Sequence, residues 1–79
     1  MKTLEETVDH NLGVALAKST DTRVRHELRK QFNYYITRTG TKSVQLMSPF
    51  WRGWARTFEP ITKADRGFVE RMRKEGVFI

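Results

Sequence analysis

The chain has 79 residues, no cysteine and a formal net charge of +6 at pH 7. That length supports one small core, built without disulfides, thiolate metal sites or thiol redox chemistry. No stretch approaches the ~20 apolar residues of a membrane span. Met1-Lys2-Thr3-Leu4-Glu5-Glu6 lacks the apolar run of a signal peptide. The expectation is a single basic helical domain over 1–79, cytoplasmic and with no membrane partner.

The first helix is expected over 3–19. Thr3 followed by Glu6 is a capping-box pattern, and Glu5, Glu6 and Asp9 suit the positive end of a helix dipole. Leu4, Val8, Leu12, Ala15 and Leu16 fall within an arc of about 120°, which marks the face expected in the core. Gly13 lies on the polar side and costs the helix about 1 kcal/mol relative to alanine.

Ser19-Thr20-Asp21-Thr22 is a cluster of capping residues, so a second helix is expected over 21–38, closing near Gly40. Val24, Leu28, Phe32, Tyr35 and Ile36 form its apolar stripe, with Arg25 at the border. The opposite side gathers Arg23, His26, Arg29, Lys30, Asn33 and Thr37. After the cap the helix has one acid, Glu27, placed to pair with Arg23 or Lys30.

Thr39-Gly40-Thr41-Lys42 reads as a turn. Ser43–Met47 alternates polar and apolar residues, which fits an extended connector or a short strand paired with 76–79.

The third helix, expected over 48–58, carries both tryptophans. Ser48 suits the N-cap, Pro49 the first helical position, and Glu59-Pro60 the stop. Phe50, Trp51, Trp54, Ala55 and Phe58 share an arc of about 140°, with Arg52 and Arg56 opposite. As a strand, these residues would alternate aromatic with cation on one face, which no half-buried sheet accommodates. Trp54 lies inside the arc and is expected to be the most buried aromatic. A Trp51–Trp54 stacking platform for bases is the functional alternative, but in a domain this small such an arc is first of all core.

The fourth helix is expected over 62–75, with Thr62 as N-cap and Asp65 reciprocating. Its apolar side is thin: Ala64, Phe68, Val69 and Met72. Glu70 is spaced to pair with Arg66 and Lys74, and Gly76-Val77 has the order of a Schellman stop. The fold class is therefore all-α: four helices, with at most one short strand pair. Helices one to three should share a core, with the fourth packing through Phe68 and Met72. The thin fourth helix leaves both monomer and homodimer open.

No catalytic constellation is visible. His10 and His26 lie on different helices with no carboxylate at ligand spacing, and there is no phosphate-binding glycine loop or nucleophile elbow. The expectations are no enzyme activity, no metal, no cofactor and no small-molecule substrate.

Charge distribution carries the functional reading. Residues 1–20 have a net charge of −1 and residues 59–79 of +1, whereas residues 21–58 hold eight cations against Asp21 and Glu27. A merely solvated face mixes signs; one short of acid suits phosphate. Arg23, Arg29, Lys30, Arg52 and Arg56 are the expected phosphate contacts, with Arg25, Arg38 and Lys42 at the edge, on either DNA or RNA. A helix-turn-helix made by the last two helices is disfavoured by Asp65 and Glu70. The rival reading is a non-catalytic accessory or inhibitor of the phage or bacterial type, docking on a larger acidic or nucleic-acid-binding protein.

Overall fold

The computed structural model describes residues 3–78. It contains α1 (Leu4–Ala17), α2 (Thr22–Thr39), a single 3₁₀ turn at Val44–Leu46, α3 (Pro49–Thr57) and α4 (Lys63–Lys74). Local chemistry sets these ends. The Thr3 hydroxyl accepts from the Glu6 N–H, and the Asp21 carboxylate accepts from the N–H groups of Arg23 and Val24. Thr62 and Asp65 form a complete capping box. α2 closes on Gly40 at φ +70°. α4 closes on Gly76 at φ +81°, where the Gly76 and Val77 N–H groups donate to the carbonyls of Arg73 and Met72, a full Schellman pair. Ser48 differs: its side chain makes no cap bond, and its N–H donates to the Tyr35 hydroxyl.

No strand forms among the described residues. The expected pairing of 43–47 with 76–79 is replaced by local bonds. The Leu46 and Met47 N–H groups donate to Ser43 and Val44, and the Gly76 and Val77 N–H groups serve the end of α4. Donors that a ladder would need are already used. Ile79 lies outside the described residues.

The core is aromatic. Trp54 and Phe32 are both fully buried, and Phe32 sits among Trp54, Trp51, Phe78 and Phe68 at centroid distances of 5.0, 5.5, 5.8 and 6.0 Å. Tilted and edge-on pairs of this kind contribute roughly 0.5–1.5 kcal/mol each beyond burial. Ile36, Met47, Phe58 and Val77 complete it, and α4 enters through Phe68 and Met72. The Trp54 indole N–H is buried without an acceptor.

α1 joins differently from expectation. Its buried residues are Gly13 and Ala17. A Cβ at Gly13 would collide with the Phe50 carbonyl, and one at Gly53 with the His10 carbonyl. The two helices thus cross backbone to backbone, each through a glycine. The stripe expected in the core faces outward, with Leu4, Val8 and Leu12 at 79%, 56% and 50% exposure. The reason is steric: only the glycine face can approach α3 so closely, and that face lies across the helix from the stripe.

Candidate nucleic-acid interface

The cations of the middle segment divide into those the fold uses and those it leaves over. Arg25 belongs to the first group. Its side chain projects from the apolar flank of α2 and the residue is 2% exposed. Its Nε donates to Asp65 at 2.9 Å, and its terminal nitrogens donate to the carbonyls of Ala17, Ser19 and Glu59. Its guanidinium lies 4.7 Å from the centre of the Phe58 ring. One side chain therefore ties the end of α1, the α3–α4 connection and the start of α4 to α2. No part of it is left for a phosphate at the surface, so the edge position read for Arg25 is withdrawn.

Asp65 is fully enclosed. Besides Arg25 it accepts from the N–H groups of Ile61 and Thr62, and the Arg29 Nε lies 3.3 Å from its second oxygen. That oxygen lacks a well-aligned hydrogen bond, so the Arg29 contact is chiefly Coulombic. Burial alone would raise the Asp65 carboxyl. The Ile61 N–H, the Arg25 guanidinium and the Thr62 N–H, together with the Arg25 charge, outweigh burial and hold it below the ordinary value. Asp65 is therefore a neutralised interior charge and does not repel an anion outside.

The cations left over lie on two separate surfaces. Between α2 and α4 is a crevice of about 350 Å³ lined by His26, Arg29, Lys30, Asn33, Phe68 and Arg71, with Gly67 on its wall. Arg29 is only half withdrawn: its Nε faces Asp65, and its two terminal nitrogens have no hydrogen-bond partner among the described residues. Lys30 and Arg71 are exposed. Next to the crevice, sharing Lys30 and Asn33 with it, lies a shallow cleft bordered by Tyr34, which is 58% exposed.

Lys42 and Arg56 lie elsewhere, on an apolar groove between α3 and the end of α4, where Arg73 joins them. Arg52 is half-buried, 3.5 Å from the Met47 carbonyl. Arg23 and Arg38 are exposed on α2. The five central cations read from the sequence thus do not share one lining: Arg29 and Lys30 border the crevice, and Arg56 the groove.

Arg71 and Arg73 were left out of the expected contacts because residues 59–79 as a whole carry a net charge of only +1. Two residues apart on a helix point to opposite flanks, so α4 sends one arginine to each surface. Glu27, expected to neutralise Arg23 or Lys30, accepts instead from Gln31 at 3.0 Å. Among the described residues the ion pairs are Arg25–Asp65, Arg29–Asp65 and Lys74–Glu70; Arg66–Glu70 is not among them.

No group of three metal-ligating side chains occurs among the described residues, and no helix among them is long and apolar enough to cross a membrane. No family model, curated protein or solved structure matches the chain.

Proposed function

We propose that this protein binds nucleic acid by phosphate contact on the α2–α4 face, with Arg29, Lys30 and Arg71 as central contacts and Arg23 and His26 beside them. The supporting observation is the uneven neutralisation of charge. The fold encloses Asp65 with Arg25, while Lys30, Arg71 and Arg23 stand exposed with no ion pair among the described residues. Phosphates supply the missing negative charge, and the crevice lets the cations of two helices bear on one backbone.

The exposed ring of Tyr34 next to Lys30 favours single strands over duplex, because an unpaired base can stack where a paired one cannot. Trp54 is removed from that role by its burial, and Trp51 is half-buried among Phe32, Tyr35 and Phe50.

Fluorescence anisotropy with labelled single- and double-stranded DNA and RNA at several salt concentrations tests the proposal. Three to four phosphate contacts imply a slope of log K against log salt of roughly −3 on duplex and about −2 on single strands. Lys30→Gln with Arg71→Gln should flatten it by one to two units, and Tyr34→Ala should weaken single-strand binding alone. A protein that binds none of these ligands at low salt does not have this function.

The exposed stripe of α1 favours a protein contact as well, at a different place on the molecule.

A further inference from the structure

Two surfaces lie outside the nucleic-acid reading, and they complement each other. The first is the outward stripe of α1: Leu4, Val8 and Leu12 at successive turns, each at least half exposed. By helical spacing Glu5 and Asp9 flank it on one side, and neither is in an ion pair among the described residues. Residues 1–20 form the one acidic stretch of a basic chain.

The second surface is the groove of about 830 Å³ between α3, the 3₁₀ turn and the end of α4. Phe58, Val69, Val77 and Phe78 give it an apolar floor. Lys42, Arg56 and Arg73 rim it against one acid, Glu59, and none of the three cations has an ion-pair partner among the described residues.

Within one molecule the stripe cannot reach the groove. α1 is held to α3 by its glycine face, which turns the stripe away. Between molecules that restriction does not apply. We propose that the stripe of α1 in one molecule seats in the groove of a second copy, with Leu4, Val8 and Leu12 on the apolar floor and Glu5 and Asp9 against the cationic rim.

Two features argue for this occupant. An apolar row flanked by acid matches an apolar floor rimmed by cations in both polarity and sign. The alternative, stripe against stripe in an antiparallel pair, brings Asp9 of one copy beside Asp9 of the other and leaves the groove unfilled. The contact is heterologous, so each molecule keeps one free stripe and one free groove and association runs head to tail. Three side chains bury well under the ~800 Å² per partner of a standard interface. The association is therefore weak.

The test is sedimentation of nuclease-treated full-length protein across a concentration series, at low and high salt. It needs no nucleic acid, so its outcome is independent of the proposed function. The wild type should grow continuously in mass with concentration, less so in high salt. Val8→Lys spoils the stripe and Arg73→Glu spoils the groove rim. Both positions are exposed, so matching circular dichroism is expected. Each variant alone should stay monomeric. Mixed together, the intact stripe of Arg73→Glu should seat in the intact groove of Val8→Lys, giving a one-to-one dimer and nothing larger. A wild type that stays monomeric throughout the series overturns the proposal. So does a discrete dimer that Val8→Lys abolishes and Arg73→Glu leaves intact, or a mixture that does not associate.

Discussion

The Arg25–Asp65 pair and the Leu4–Val8–Leu12 row reverse the usual placement of residue types. A full ion pair is enclosed at one end of the core, while an aliphatic row lies in solvent on α1. The difference lies in what each could reach. Arg25 meets a carboxylate and three carbonyls within one cluster, so each of its guanidinium nitrogens gains an acceptor. The α1 row meets nothing, because the helix is committed to α3 through the opposite face. Residue type sets the cost of a position, and the geometry of the first close contact decides which residues bear it.

Removing one side of the buried pair should give the largest effect. Arg25→Met leaves the enclosed Asp65 with the Ile61 and Thr62 N–H groups but only the poorly aligned Arg29 contact as counter-charge, a loss of about 3–5 kcal/mol. For a domain this small that lowers the melting temperature by roughly 12 °C or more. The same pair predicts acid sensitivity. The folded-state pKa of Asp65 lies below its unfolded value, so its contribution is complete above the ordinary carboxylate range and is lost as pH falls toward the folded value. Melting temperature should therefore be flat from about pH 7 to 5 and drop below about pH 4. In Arg25→Met the acid limb should move to higher pH.

Glycine substitutions probe why the α1 row faces outward. Gly13→Ala gains about 1 kcal/mol of helix propensity but forces the α1 and α3 backbones apart, for a net loss of roughly 2 kcal/mol. Gly67 is exposed in α4 with open space around its Cβ position, so Gly67→Ala should stabilise by roughly 0.5–1 kcal/mol. One substitution thus has opposite signs on two helices, measurable by chemical denaturation. Val8→Ser should be smallest, within about 0.5 kcal/mol, since an exposed side chain has little packing to lose. A large loss at Val8 would mean that the row is covered in solution.

Helix ends were legible because their signals are local: Thr3, Asp21, Gly40, Pro49, Thr62 and Gly76 act within a few residues of themselves. The α1 core face was not. Periodicity shows which side chains share a face, but not which face finds a neighbour, and Gly13 counted only as a weak helix residue until Gly53 met the same crossing. Arg25 did leave a trace. By helical spacing it falls between Phe32 and Ile36, just within the border of the apolar stripe, where an arginine needs a buried acid. Its partner stands 40 residues away and already serves as a cap, so sequence could not pair the two. The separation of the cations into crevice and groove was equally invisible, because it depends on how α2, α3 and α4 are set against one another.

The most direct test of the central claim, phosphate contact on the α2–α4 face, is an NMR titration of ¹⁵N-labelled protein with a short single-stranded oligonucleotide at low salt. The largest amide shifts should fall on Lys30, Asn33, Gly67 and Arg71, while Leu4, Val8 and Leu12 stay in place. Shifts confined to α1 or to the groove around Lys42, Arg56 and Arg73, or no shifts at all, would contradict it.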